Sequence, residues 1–157
     1  MSDAIATAIS KVVAAQLTSA SAASKLGGYS FVAKHSNLPR ITREQIEKRS
    51  PTVTTQPRGD VRQFASRTKR QHDYTIEVCV YLGVTGDDSL SVDECVLIAE
   101  KIADFWEVDD TDTGQTRTLT GRDEKLLSPI ETQVATGELE QHSVIKCTVI
   151  LTFRGWR

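Results

Sequence analysis

The sequence has no apolar run approaching the ~20 residues that a membrane helix needs. Its opening, Met1-Ser2-Asp3, lacks the basic and apolar regions of a secretory signal, so the expectation is a protein made and used in a cytosol. Cysteine is scarce: Cys79, Cys95 and Cys147 are an odd number with no close spacing. Neither a disulfide framework nor a zinc site is indicated, and each thiol reads as a small buried hydrophobe. Histidine is limited to His35, His72 and His142, none in a recognisable nucleophile motif. No phosphate-cradling G-x-x-x-x-G-K-[ST] loop is present, and Gly27-Gly28 and Gly114 read as isolated turn glycines. The acids Asp109, Asp110 and Asp112 lack the ligand spacing of a calcium loop and read as a solvated turn, as do Asp87 and Asp88. No catalytic residue, metal ligand or cofactor site follows from these patterns.

What is present fits one soluble globular domain. The chain has 157 residues, 39% hydrophobic and 25% charged, which suffices for a single core. A net charge of −2 conceals an asymmetry: Lys34 to His72 carries a balance of +7, and Asp73 to Glu140 a balance of −13. Such polarity suits a molecule that meets a charged surface in one direction, or copies of itself head to flank; a solvated surface is the plainer explanation.

Residues 3–17 place Ile5, Ile9, Val12, Val13 and Leu17 on one helical stripe. Asp3 is a candidate cap, and the Ser/Ala stretch 18–24 with Gly27-Gly28 a candidate end. Residues 29–34 have the composition of a short strand. From Ser36 to Pro57 the chain is polar and broken by Pro39, Pro51 and Pro57, with a short helix expected at 42–48 and a short strand at 52–55. Residues 57–72 lack apolar periodicity and read as a long mobile basic loop. The clearest strand is 74–82, where Tyr74, Ile76, Val78, Val80 and Leu82 alternate with Thr75, Glu77, Cys79 and Tyr81. After a turn over 83–88, Ser91-Val92-Asp93-Glu94 matches a capping box. Cys95, Ile98, Ala99, Ile102 and Phe105 or Trp106 then give a second helix an apolar face. An acidic loop at 107–114, an edge strand at 116–119, a strand at 130–135 and a long strand at 142–153 complete the reading. In the last, Ile145, Cys147, Val149, Leu151 and Phe153 take one face and Lys146, Thr148, Ile150, Thr152 and Arg154 the other. The two long strands are expected to neighbour each other in an antiparallel or mixed sheet covered by two helices, an α+β two-layer domain.

The basic loop is the segment whose composition asks for a partner. Arg58, Arg62, Arg67, Lys69 and Arg70 stand against one acid, Asp60, and only Phe64 interleaves. Cations at this density neutralise phosphates, but a single-strand stacking platform is missing. A protein-contacting arm, a solvated loop and a nucleic-acid-binding module using Arg58 to Arg70 all remain open on the residues alone.

The order of elements resembles the tail terminator (tail completion) proteins of long-tailed bacteriophages. The resemblance spans nearly the whole chain. It rests on the amphipathic first helix, the Arg-rich segment, the basic-then-Asp-Tyr-strand junction at 67–76, the capped helix, and a terminal strand closing in Thr152-Phe153-Arg154-Gly155-Trp156-Arg157. It implies a non-enzymatic structural virion protein, assembled in the host cytoplasm as a homo-oligomeric ring, usually a hexamer. That ring ends tube polymerisation at the head-proximal end of the tail. It implies as partners the tail tube protein, a neck or head-completion protein, and double-stranded DNA passing through the lumen without sequence-specific binding. Arg58, Arg62, Arg67, Lys69 and Arg70 are then the expected contacts to tube, neck or lumen. A neck or stopper ring of the head–tail joint is the nearest alternative.

Overall fold

Alternating apolar residues build the centre of the sheet. A computed structural model describes residues 4–35, 51–83, 88–108, 115–135 and 144–157. The expected Asp3 cap, the helix at 42–48, the turn residues 84–87, the acidic loop residues 109–114 and His142 lie outside the described residues. Six strands form one mixed sheet: β1 (Lys34–His35), β2 (Thr52–Phe64), β3 (Arg70–Gly83), β4 (Lys125–Leu126), β5 (Glu131–Ala135) and β6 (Val144–Trp156). The order is β1-β2-β3-β6-β4, with β5 also on the outer side of β6. β1 runs parallel to β2, and every other pairing is antiparallel.

The two long strands pair over their full length, from Gly83 with Val144 to Gln71 with Trp156. Their alternation decides which face is buried. Tyr74, Ile76, Val78, Val80 and Leu82 of β3 join Ile145, Cys147, Val149, Leu151 and Phe153 of β6 in the core. Two helices, α1 (Ile5–Ala22) and α2 (Asp88–Glu107), cover that face. α1 contributes Ile9, Val13 and Leu17; α2 contributes Cys95, Ile98, Ile102 and Trp106. This is the expected two-layer α+β arrangement. Cys79 packs with Tyr81 and Val144 in a smaller cluster on the other face.

Several expected boundaries move, each for a visible reason. The Ser/Ala stretch continues α1 to Ala22 because its hydroxyls clamp the next segment. Thr18 Oγ1 accepts from the Ala33 amide at 3.0 Å, and Ser21 Oγ accepts from the Phe31 amide and donates to the Tyr29 carbonyl, both at 2.9 Å. Residues 29–33 are therefore bound to the helix, and only Lys34–His35 reaches the sheet as a strand. α2 begins at Asp88, so Ser91 lies inside its first turn rather than at the cap. Residues 116–119 form no strand. The Arg117 amide donates to the Trp106 carbonyl at 3.0 Å, and the Gln16 side-chain amide bridges the Thr118 carbonyl and the Thr120 amide at 3.1 and 2.9 Å.

The largest correction concerns the basic segment 57–72, which is not a loop. Residues 57–64 continue β2, residues 70–72 begin β3, and twelve positions of the two strands are paired, from Thr52 with Tyr81 to Phe64 with Arg70. Pro57 and Gly59, which look like breakers in sequence, flank a register irregularity, the place in a strand where both residues are tolerated. Only 65–69 turn the chain. Ala65 and Ser66 amides donate to the Lys69 carbonyl at 3.2 and 3.1 Å, while Ser66 Oγ accepts from the Thr68 and Lys69 amides at 3.3 and 3.1 Å.

Candidate functional site

The helices cover only part of the sheet. Two turns into α2, Cys95 Sγ reaches the carbonyls of Val80 and Ile145. The helix ends where Trp106 meets Phe153 edge to face, ring centroids 5.9 Å apart. The paired strands run on past this level to the turn at 65–69, with β6 alongside: Arg70 and Arg157 exchange backbone hydrogen bonds at 2.6 and 2.9 Å. The distal end of the sheet, past that contact, is thus three strands wide and carries Arg62, Arg67, Lys69 and Arg70; Arg58, beside Ile76 and Thr75, lies before it.

Register divides those five into different environments. Arg58 lies on the uncovered face with its guanidinium 3.0 Å from the Glu77 carboxylate, which also accepts from Gln56 Nε2 at 2.8 Å. Arg62 faces the other way and pairs with Asp60 at 2.7 Å. Asp60 also stands 3.4 Å from His72 Nδ1, whose ring stacks on Tyr74. Arg70 lies opposite Phe64 across the hairpin, its guanidinium 5.1 Å from the ring centroid. Arg67 and Lys69 stand in the turn, exposed, with no side-chain ion pair among the described residues. Phe64 is 83% exposed, Val61 58% and Trp156 49%. Phe64 stands on the same side as Tyr74, and Val61 and Trp156 on the other, so exposed apolar side chains lie on both faces of this end.

The base of this end is pinned. Arg154 forks onto Asp73 with hydrogen bonds of 2.8 and 2.9 Å, and the guanidinium holds the Asp73 carboxyl below the usual range against the opposing effect of partial burial. Glu124 is 5% exposed and is gripped by Arg122 at 2.7 and 3.0 Å and by Arg157 at 2.9 Å. Burial alone would push its carboxyl up; the hydrogen bonds from Arg122, from its own backbone and from Arg157 prevail and hold it low. Gly155 makes room for this cluster, since a Cβ there would stand 3.1 Å from Glu124 Cγ. A polar cleft of about 430 Å³ opens beside it, lined by Lys69, Arg122, Asp123, Trp156 and Arg157 among others.

Sequence reasoning did not bring Ser10 and His35 together, and the fold does, at 2.8 Å between Ser10 Oγ and His35 Nδ1. Proton accounting decides what this pair does. Thr55 Oγ1 donates to the Ser10 carbonyl at 2.9 Å, so it can only accept from Ser10 Oγ at 3.0 Å. The Ser10 proton therefore points at Thr55, and His35 must donate from Nδ1. Ser10 and Thr55 are fully buried, and the cluster ties α1 to β1 and β2 without a base facing the hydroxyl. The thiols are likewise buried; a hydrogen bond to Cys147, together with burial, pushes the Cys95 thiol far up and keeps it protonated. Among the described residues no group of three or more His, Cys, Asp or Glu side chains is placed to hold a metal. An apolar cleft of about 530 Å³ lies between α1 and residues 117–120, where Arg117 covers the Phe105 ring at 3.7 Å and donates to the Phe105 and Val108 carbonyls at the end of α2. No protein-family model matches this chain, and no curated protein matches it either.

Proposed function

We propose that the protein is a structural component of a long-tailed bacteriophage virion: a ring-forming tail terminator at the head-proximal end of the tail tube. It stops tube polymerisation and offers the surface to which the neck or head-completion protein attaches. The observation that carries this reading is the distal end of the sheet, where an exposed Phe64 stands among Arg62, Arg67, Lys69 and Arg70 on strands that extend past the helices. A rigid, cationic, partly apolar edge is suited to docking on another protein, because it loses little conformational freedom on binding. The order of elements along the chain supports the same assignment through its resemblance to the family.

The decisive experiment measures the mass of the assembly with and without purified tail tubes, and the length of tubes grown in its presence. The wild-type protein is expected to bind tube ends as a ring and fix tube length. Reversing charge together at Arg62, Arg67 and Arg70 is expected to abolish both, with thermal melting nearly unchanged because exposed charges contribute little to stability. Normal tube length with the triple variant refutes this use of the cations. Tight, steeply salt-dependent binding to duplex DNA that the triple variant loses, without any effect on tubes, replaces the reading by a nucleic-acid-binding one.

A further inference from the structure

One surface of α2 is acidic from Asp93 to its end. Asp93, Leu97, Glu100, Asp104 and Glu107 recur at steps of four, three, four and three and are all exposed, which at ~100° per residue places them on one narrow stripe. The opposite side, Cys95, Ile98, Ile102 and Trp106, is buried on the sheet. The one basic residue of the helix, Lys101, half-buried, borders the stripe without standing in it. Asp104 and Glu107 moreover occupy the carboxyl-terminal turns, where the helix dipole already disfavours negative charge, and Glu100 and Asp104 repel each other at i,i+4. Nothing in the local physics of the helix favours this arrangement. Within the chain Lys101 beside the stripe and Arg117 at the end of α2 offset only part of this charge; cations of a second copy would offset the rest. At its middle stands Leu97, 42% exposed, an apolar point among acids.

The distal end of the sheet is the complement. It offers Arg62, Arg67, Lys69 and Arg70 around Phe64, a cationic surface with an apolar point. Within one chain the two do not meet. The stripe faces away from the sheet, whereas the hairpin lies in the plane of the sheet and extends beyond the end of α2. We infer that the α2 stripe of one copy seats the distal hairpin of a second copy, Phe64 against Leu97 with the Arg and Lys side chains over Glu100, Asp104 and Glu107. The contact is head to flank, so an open chain of copies keeps one free hairpin at one end and one free stripe at the other until it closes into a ring. This inference rests on the ring reading above and assigns the distal hairpin to the neighbouring copy, so that tube and neck meet other surfaces of the ring.

The test is a pair of charge reversals in the full chain, followed by native mass spectrometry and sedimentation at low and high salt. Wild type is expected to form a closed oligomer that dissociates as salt rises. Glu100→Lys with Asp104→Lys is expected to leave monomers, as is Arg67→Glu with Arg70→Glu, each melting like wild type. Mixing the two variants is expected to restore closed oligomers in which they alternate, since an unaltered hairpin meets an unaltered stripe at one boundary and a reversed hairpin meets a reversed stripe at the next. Combining all four substitutions in one chain is expected to restore oligomers. The milder Glu100→Gln with Asp104→Asn, expected to raise the concentration needed for assembly at least tenfold, serves if the reversal on α2 lowers the melting temperature. A wild type that stays monomeric at every concentration, an α2 reversal that assembles normally, or a combined variant that does not recover each overturns the contact. A monomeric protein that still fixes tube length overturns the contact and leaves the terminator reading standing. Rings that behave as expected but have no effect on tubes overturn the terminator reading alone.

Discussion

Leu151 and Ile150 are neighbours in β6 with opposite surroundings, and truncating each to alanine tests the face of the sheet that holds the core. Leu151 is fully buried opposite Ile76. Ile150 lies on the uncovered face between Glu77 and Glu131 and is partly exposed. Leu151→Ala removes three carbons, about 2.4 kcal/mol at ~0.8 kcal/mol for each buried methylene. A cavity closed in by α1, α2 and β3 adds to this, so the loss should fall in the range of about 2–5 kcal/mol. Ile150→Ala leaves no enclosed cavity and forfeits part of the transfer free energy, on the order of 1 kcal/mol. In a domain of this size the larger loss lowers the melting temperature by about 4–20 °C. Urea denaturation followed by fluorescence is a direct readout, because Trp106 is fully buried against Phe153. Equal slopes with separated midpoints would show that only stability has changed. If Ile150→Ala costs as much as Leu151→Ala, the register of β6 is displaced by one residue and the assignment of the buried face fails.

Within the hairpin, limited trypsin digestion of the folded protein should cut at Arg67 or Lys69 before Arg58 and Arg62, whose backbone is paired in β2; early fragments ending at Arg58 would contradict the hairpin. Acid should weaken the distal end first. The folded-state carboxyls of Asp73 and Glu124 lie below their ordinary values of 3.8 and 4.5, so their contribution is fully present above those values and is lost as pH falls through the folded ones. Urea midpoints measured from pH 7 to pH 2 should fall less steeply for Asp73→Asn with Glu124→Gln than for wild type, and identical slopes would refute the linkage.

What could be read from the sequence follows from where water lies. β3 and β6 are buried on one face and partly open on the other, so their alternation is visible residue by residue. The outer half of β2 has solvent on both faces. Asp60, Arg62 and Phe64 on one side and Val61 and Gln63 on the other show no period, and Pro57 and Gly59 imitate a break. Its strand character comes from hydrogen bonds to β3, which composition does not encode. Residues 29–33 mislead in the opposite sense: Tyr29, Phe31 and Val32 look like a strand, but the amides of Phe31 and Ala33 go to hydroxyls on α1. The five cations of the candidate site were visible as composition, whereas the pairing of Arg58 with Glu77 depends on register. Spacing alone could have revealed the acidic stripe of α2; a charge balance summed over long blocks hides it.

That the basic segment is strand rather than mobile loop changes the energetics of any contact it makes. A disordered loop must be ordered as it binds, and that cost reduces the affinity of each contact. Here the ordering is complete beforehand. Arg154 on Asp73, Arg122 and Arg157 on Glu124, and the backbone exchange between Arg70 and Arg157 hold the distal end against β6 before any partner arrives. The same bonds neutralise the arginines at the base. Arg67 and Lys69 in the turn, Arg70 over Phe64, and Arg62 beside a single acid remain to face a partner. Charges at such a rim set the rate and direction of encounter more than the final affinity. The greater part of the binding free energy should then come from desolvating the one large aromatic at its centre, which makes Phe64 the side chain on which a docked complex depends most.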